Sequence, residues 1–152
     1  MQPTIAEKRK IFRDLHQTGC FVLPNPWDAG SARMLQQLGY HALATSSAGY
    51  AWSCGKTDGQ LSRAEVLAHL RTLVQSTDLP VNADFESGFA ETIEGVFESV
   101  SMAIATGVAG ISIEDSTGNM EQPLRELEDA VARIAAARQA IDASGEDVML
   151  IG

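Results

Sequence analysis

The sequence is poor in cysteine, in aromatic residues and in positive charge. It contains 2 Cys in 152 residues, 6% aromatic residues, and 11 Lys and Arg against 20 Asp and Glu. Two cysteines are too few for the disulfide framework of a small secreted domain, so we expect a reducing, cytoplasmic location. The formal net charge of −9 argues against nucleic acid and anionic membrane surfaces as partners, because both would repel the protein.

Long apolar runs are absent as well. No run approaches the roughly 20 residues needed to cross a bilayer, and the charged stretch Glu7–Lys10 lacks the apolar core of a signal peptide. The composition is otherwise that of an ordinary globular domain, with 45% hydrophobic and 20% charged residues. We therefore expect no membrane segment, and we place residues 1–152 in a single domain.

Helical and strand patterns alternate along the chain. We predict strands at Cys20–Leu23, His41–Thr45, Pro80–Ala83, Gly110–Ile113 and Val148–Ile151. We predict helices over residues 5–17, between Asp28 and Gly39, from Ser62 through Val74, over 91–106 and from Leu124 to about Ala143. Strict alternation of this kind predicts a parallel sheet covered by helices, with Cys20 in the core of the first strand.

Two α/β architectures fit this pattern. A (β/α)8 TIM barrel needs about 250 residues, so the chain would be the N-terminal portion of one barrel domain, with an N-terminal helix and about the first four and a half βα units. A five-stranded doubly wound domain would be complete at this length. The sequence stops at Gly152, directly after a predicted strand, so we expect a part of a longer chain. Both architectures stay open at this point.

Carboxylates follow two of the predicted strands at the point where each strand ends. Asp84 and Glu86 follow the third strand, and Glu114 and Asp115 follow the fourth. Because the carboxyl ends of parallel strands lie at one edge of a sheet, these acids are expected to converge. Side-chain alternation puts Asp84, Glu86 and Glu114 on the inner face and directs Asp115 elsewhere. Clustered carboxylates repel one another, and a divalent cation such as Mg²⁺ is the usual reason to retain them.

Other candidate site residues lie in the segments after the first two strands. Asp58 belongs to a long loop of small residues, which is typical of a lid, although Asp-Gly is also a common turn. Ser46 and Ser47 offer backbone N–H groups that suit an oxyanion or a carboxylate. Trp27 and Asp28 could line the same edge of the sheet. A packing role for Trp27 and a helix-capping role for Asp28 are equally consistent with the sequence.

Several other site classes lack their motifs. The sequence has no Walker motif and no G-x-G-x-x-G. Its histidines lack metal-ligand spacing and the company of a catalytic triad, and we expect His16 and His69 at the surface of their helices. A receiver-like signalling domain would need an acidic pair after the first strand, where this sequence has Pro24-Asn-Pro26. The acidic strand ends therefore stay the leading candidate site.

The short motifs also form a recognisable set. They are Asn25-Pro-Trp-Asp-Ala-Gly-Ser-Ala32, Thr45-Ser-Ser47, Gly55-x-x-Asp58, Pro80-Val-x-Ala-Asp-x-Glu-x-Gly-Phe89 and Gly110-x-x-x-Glu-Asp115. In order and spacing, from about residue 10 to the end, this set resembles the isocitrate lyase/phosphoenolpyruvate mutase superfamily. The resemblance favours the TIM barrel over the doubly wound domain.

The resemblance implies a particular chemistry. It implies Mg²⁺, with Mn²⁺ as a substitute, acting on a small 2-oxo acid, a dicarboxylic acid or an adduct of one. A C–C or P–C bond would break through a metal-stabilised enolate. The metal ligands would be Asp84, Glu86 and Glu114, partly through water. A homo-oligomer, tetrameric in full-length form, is also implied.

The resemblance further implies roles for the loops. Asp58 would act near the metal shell from the gating loop, and the backbone at Ser46 and Ser47 would bind the oxo-carboxylate group and stabilise the enolate. With Trp27, Asp28 and Asp84, these serines make up the candidate substrate-binding set.

Two features depart from the family pattern. The second acid of the usual Asp-x-Asp metal motif is Glu86 here, one methylene longer. The loop from Ser116 to Pro123 has neither the catalytic Cys of the lyases nor the Lys of the mutase. A decarboxylase or hydrolase needs less from this loop and is favoured, and the alternative is a non-catalytic relative that binds metal or an oxo acid.

Overall fold

A computed structural model describes residues 2–152, which form one sheet of four parallel strands flanked by helices. The strands are β1 Leu43–Ala44, β2 Val81–Asp84, β3 Gly110–Ser112 and β4 Met149–Ile151. The helices are α1 Ile5–Leu15, α2 Ala29–Gln37, α3 Ser47–Ser53, α4 Arg63–Ser76, α5 Ile93–Ile104 and α6 Leu127–Ser144. No helix within residues 2–152 has both the length and the apolar character needed to span a bilayer.

The strands pair in the order in which they occur in the sequence. β1 pairs with β2, β2 with β3, and β3 with β4, each in parallel. A doubly wound sheet changes direction at a switch point, which places non-consecutive strands side by side. Sequential parallel order, with helices between successive strands, is the arrangement of a barrel wall. The predicted TIM-barrel architecture is confirmed, as a partial barrel.

The two faces of the sheet carry different side chains. Leu43, Val81 and Ile111 are at most 1% exposed and pack in the main core with residues of α4, α5 and α6. Asn82 and Ser112 belong to the opposite face, where the Asn82 amide donates to the Ser112 hydroxyl at 2.8 Å. The predicted alternation is therefore present, with apolar side chains toward the helices and polar side chains toward the barrel interior.

Helix α1 covers the inner face at the starts of the strands. Phe12 is fully buried against Ala42 and Ala109, which precede β1 and β3. A Cβ on Gly110 would lie 2.6 Å from the Phe12 ring atom Cε1 and 2.5 Å from Asn82 Oδ1. Glycine is required at this position because the Phe12 ring and the Asn82 amide oxygen occupy the space of a side chain. The barrel interior is thus apolar where the strands begin and polar where they end.

The predicted first strand is wrong. Residues 20–23 form no strand, and Cys20 is exposed instead of buried. The segment that follows still runs beside β1, because the Ala44 N–H donates to the Pro24 carbonyl at 3.1 Å. Pro24 and Pro26 have no N–H to give to a ladder, which limits pairing here.

The predicted loop after the second strand contains helix α3. Ser46 caps this helix, since its Oγ accepts a hydrogen bond from the Gly49 N–H at 3.1 Å. Trp27 lies directly against Gly49 and makes an edge-on contact with Trp52, with ring centroids 5.8 Å apart. The helix depends on these contacts with a distant segment, which the Ser- and Gly-rich composition does not reveal.

His69 is buried, contrary to the surface position expected from the sequence. It is 6% exposed, and its ring stacks on that of Tyr50 with centroids 3.7 Å apart and planes within 6°. Burial lowers the pKa of His69 from 6.5 to about 4, and the nearby Asp28 carboxylate opposes this shift. The imidazole is therefore neutral in the folded chain at neutral pH.

We predict that His69 makes the chain less stable in mild acid. The unfolded state binds a proton at His69 below pH 6.5 and the folded state does not until about pH 4. Stability is therefore full above pH 6.5 and falls as the pH drops through this window, by about 2 kcal/mol at pH 5. Urea unfolding at pH 7.5 and pH 5 measures the loss. His69→Phe keeps the stacked ring and should remove this part of the pH dependence, and an unchanged pH dependence in the variant would contradict the prediction.

Candidate active site

The acidic residues after β2 and β3 come together at the carboxyl edge of the sheet. Asp84 ends β2 and pairs in register with Ser112 of β3. Beyond the strands, the Glu114 N–H donates to the Glu86 carbonyl at 2.8 Å. The two segments therefore stay side by side past the last pair of the ladder, and they bring Asp84, Glu86 and Glu114 to one place.

Hydrogen bonds from the segment after β1 fix the position of Asp84. The Ser47 N–H, at the start of α3, donates to Asp84 Oδ2 at 2.7 Å. The Asp84 N–H in turn donates to the Thr45 hydroxyl at 2.9 Å. Thr45 was not singled out from the sequence, although it directly precedes the two serines of its motif. Its hydroxyl and the Ser47 amide hold the backbone and the carboxylate of Asp84 from the same side.

The backbone after β2 turns sharply at Glu86. Glu86 and Phe89 have positive φ angles of 45° and 50°, and Gly88 lies between them at 95°. A non-glycine residue in this left-handed region is uncommon and is found most often where a side chain must be held in a special position. The turn leaves Glu86 as part of the cavity lining at the sheet edge.

A cavity of about 690 Å³ lies at this edge. Three carboxylates line it, those of Asp58, Glu86 and Glu114, together with Ser47. Gly59, Ser87 and the loop after β3 supply the rest of the wall with uncharged residues. Those lining residues of the loop are Ser116, Thr117, Gly118, Asn119, Met120 and Pro123. Every ionisable side chain lining the cavity, within residues 2–152, is therefore an acid.

The acids interact strongly with one another. Burial, followed by the charges of Asp84, Asp58 and Glu114, raises the pKa of Glu86 to about 7. Burial and the neighbouring Asp84 and Asp58 also raise the pKa of Glu114. One carboxylate oxygen of Glu86, Oε1, is buried and has no hydrogen-bond partner within the described chain. The site thus concentrates negative charge that the residues around it do not neutralise.

The oxygen donors suit a hydrated magnesium-type ion. Within residues 2–152 no group of three or more His, Cys, Asp and Glu side chains is spaced to enclose a metal ion directly. Mg²⁺ seldom needs such a cage, because it keeps several waters and takes one or two carboxylates. The unpartnered Glu86 oxygen and the adjoining acids fit this mode of binding.

Other residues predicted for the site lie outside the cavity lining. Ser46 caps α3. Trp27 packs against Gly49 of α3, and Asp28 caps α2 by accepting from the Ser31 N–H at 2.7 Å. Asp84 is not part of the lining either, and the predicted substrate contacts of Ser46, Trp27, Asp28 and Asp84 stay predictions.

The class of the protein follows from its fold and from its similarity to a solved structure. The partial TIM barrel matches the structure of 2,3-dimethylmalate lyase, a member of the PEP mutase/isocitrate lyase superfamily. The TM-score is 0.84 at 28% identity, over 99% of this chain and 53% of the lyase chain. The chain is a member of that superfamily. Within it, the chain belongs to the phosphoenolpyruvate phosphomutase family, whose model matches residues 12–152.

Two further relatives show how much of the chain is similar to known proteins. A provisionally assigned lyase/mutase from Burkholderia cenocepacia J2315 is 44% identical with a TM-score of 0.92, over 96% of this chain and 53% of that chain. Oxaloacetate decarboxylase from Paraburkholderia xenovorans LB400 is 27% identical over 153 aligned residues, covering 95% of this chain and 50% of the enzyme. The chain spans about half the length of the relatives it matches.

We predict that Glu86→Gln stabilises the metal-free chain above neutral pH. The folded pKa of about 7 lies above the ordinary value of 4.5, so ionisation of Glu86 costs stability as the pH rises through this range. An amide removes the charge and keeps the shape. Because Glu86 is only partly buried, solvent screens some of the repulsion, and we expect a gain of about 1 kcal/mol at pH 8. Urea unfolding in EDTA measures it.

Glu91→Gln is the matched control for this prediction. Glu91 follows in the same loop, and its side chain is exposed. This substitution should leave the free energy of unfolding unchanged within about 0.5 kcal/mol, as at most surface positions. A loss of stability in Glu86→Gln would show that the ionised carboxylate has a structural partner.

Proposed function

We propose that this chain forms part of a metal-dependent enzyme that breaks a C–C or P–C bond of a small 2-oxo acid, or of an adduct of one, and leaves the electron pair of that bond in an enolate. The observation that carries the proposal is the convergence of Asp84, Glu86 and Glu114 at the carboxyl edge of a barrel wall. Family membership supports it, because the relatives include lyases, a mutase and a decarboxylase of small acids. The particular substrate and bond are part of the proposal.

The carboxylates are the proposed metal ligands. Asp84, Glu86 and Glu114 would hold Mg²⁺ or Mn²⁺, partly through water, with Asp58 close by on the loop after α3. When bound, the cation would polarise the keto group and stabilise the negative charge that develops on its oxygen as the bond breaks. The excess of negative charge in the site supports this choice, since a cation would lower the pKa of both Glu86 and Glu114.

The chain's own groups would position the ligands and the substrate. The Ser47 N–H donates a hydrogen bond to the Asp84 carboxylate. We therefore assign this N–H the role of positioning Asp84. Ser47 also lines the cavity, and its hydroxyl is a candidate contact for the substrate carboxylate, together with the predicted backbone contact at Ser46. Asp58 would approach the metal ion from the loop after α3 and help to exclude water from the cavity.

The composition of the cavity favours decarboxylation over aldol-type cleavage. Cleavage of a 2-hydroxy-acid adduct requires a group that removes the hydroxyl proton as the bond breaks. The loop wall from Ser116 to Met120 offers neither Cys, Lys nor His. Decarboxylation of a 3-carboxy-2-oxo acid needs no protein base, because the electron pair of the broken bond moves toward the keto oxygen as carbon dioxide leaves, and the resulting enolate takes its proton at carbon from water.

A non-catalytic relative is the second candidate. The same lack of a Cys, Lys or His among the cavity-lining residues within 2–152 favours it, because binding a 2-oxo acid on a metal needs no proton donor. Sustained turnover separates the two candidates. Partnership with a small dicarboxylic acid, homo-oligomer formation and a cytoplasmic location stay predictions in either case.

We predict joint stabilisation of the chain by a divalent cation and oxalate, which mimics the planar enolate of a 2-oxo acid. Near saturation, ligand binding adds about 2.7 kcal/mol at a concentration of 100 times Kd, so we expect the melting temperature to rise by about 5 °C or more. Thermal melting with MnCl₂, with oxalate, and with both measures the effect. Glu86→Gln should abolish the joint shift, and Glu91→Gln should retain it.

Two results would contradict this prediction. An equal shift in Glu86→Gln would remove Glu86 from the metal site. A shift with oxalate alone, unchanged by EDTA, would point to an anion site that is independent of metal.

We predict that Mg²⁺-dependent loss of oxaloacetate distinguishes an enzyme from a binding relative. Pyruvate should form at a rate above that of free Mg²⁺ in solution, and Glu114→Gln should lower the rate by at least 100-fold because a metal ligand is lost. A coupled assay with lactate dehydrogenase measures pyruvate. Binding of Mn²⁺ and oxalate without turnover of oxaloacetate or other 2-oxo acids would favour the non-catalytic candidate.

A further inference from the structure

One arginine of α6 is fully buried under the loop that carries Glu86. Arg133 is 2% exposed. Its guanidinium donates from Nη1 to the carbonyls of Ser87 and Ala90, both at 2.9 Å, and from Nη2 to the carbonyl of Glu91 at 3.0 Å. A single side chain thus binds three backbone carbonyls between β2 and α5.

These carbonyls belong to the most unusual backbone of the site. The residues at 86, 88 and 89 have positive φ angles of 45°, 95° and 50°, and the carbonyls that Arg133 binds lie directly among and after them. A backbone of this kind persists only where surrounding contacts determine it. Phe89 adds an edge-on contact with Phe85, with centroids 5.1 Å apart, but Arg133 provides the polar contacts that hold the loop from beneath.

A second arginine and a shared acid complete the network. Asp129 accepts from Arg133 Nε at 3.0 Å and from Arg125 Nη1 at 2.9 Å. Arg125 Nη2 donates to the Ser87 hydroxyl at 3.1 Å. Asp129 therefore orients both guanidinium groups toward the residue that follows Glu86, and the fixed fork of arginine suits this multidentate geometry better than an ammonium group.

We propose that Arg133, oriented by Asp129, is a positioning residue that holds the Glu86 carboxylate in the metal-binding arrangement of the site. Arg133 touches neither the cavity nor the other carboxylates, and it acts through the backbone of residues 87–91. This inference rests on the proposed function, because it concerns the affinity of the same acids for a divalent cation.

The test measures Mn²⁺ affinity and stability in the same variants. Arg133→Lys keeps the charge and loses the fork that reaches three carbonyls. Electron paramagnetic resonance of free Mn²⁺ gives the dissociation constant at a temperature well below the melting transition. We expect Kd to rise about tenfold in Arg133→Lys, the range typical of groups that orient metal ligands. A residue with a merely structural role would lower the melting temperature and leave Kd unchanged.

Arg138→Lys is the matched control. Arg138 lies on the same helix and pairs with Asp142 at 2.8 Å, but its side chain is 45% exposed. The Mn²⁺ dissociation constant of Arg138→Lys should stay within about twofold of the wild-type value. An equal rise of Kd in both variants would attribute the effect to general loosening of α6 and would overturn the proposal.

The remaining outcomes also decide the proposal. A folded Arg133→Lys with the wild-type Kd overturns it and leaves the metal site intact. A wild-type chain that binds no Mn²⁺ overturns the metal site itself, and the proposal with it. If Arg133→Lys has no cooperative melting transition, Asp129→Asn replaces it: a rise of Kd of about threefold or more supports the proposal, and an unchanged Kd overturns it.

Discussion

The parallel pairing of β2 with β3 is the interaction on which the site depends. In the observed register Asp84 lies opposite Ser112, and the Glu114 N–H extends the pairing to Glu86. Because side chains alternate along a strand, a slip of one residue would turn Asp84 toward the helices and bring Ala83 to the interior. The apolar contacts of Val81 and Ile111 with the helices therefore also select the face on which the acids lie.

The carboxylates at this edge repel one another, which destabilises the chain. The neighbouring elements contact the acids through backbone N–H donors and not through cationic side chains. The Ser47 N–H holds Asp84, while Arg133 of α6 and Arg125, which precedes that helix, bind the loop beneath Glu86 instead of its carboxylate. The guanidinium groups of Arg125 and Arg133 hold the loop next to Glu86 but do not pair with its carboxylate. The negative charge of the acids therefore remains available to a bound cation.

Much of the fold and of the acidic cluster could be predicted from the sequence, because both follow from local periodicity. The helix caps at Asp28 and Ser62, the parallel sheet and the inner face of β2 are all matters of spacing. The failures have other causes. His69 and helix α3 were misplaced because their contacts come from other segments of the chain, Tyr50 for His69 and Trp27 for α3. The strand expected at residues 20–23 is absent where Pro24 and Pro26 limit pairing.

Gly110 and Phe12 illustrate a wider consequence of close packing across the sheet. The Phe12 ring occupies the volume into which any side chain at position 110 would project. The two positions are therefore not independent: a larger residue at 110 requires a smaller one at 12, and it also requires the Asn82 side chain to move, since Oδ1 would lie 2.5 Å from the new Cβ. Although they are far apart in sequence, we expect them to vary as a pair among relatives, and a helix ahead of the barrel thereby limits which residues can begin its third strand.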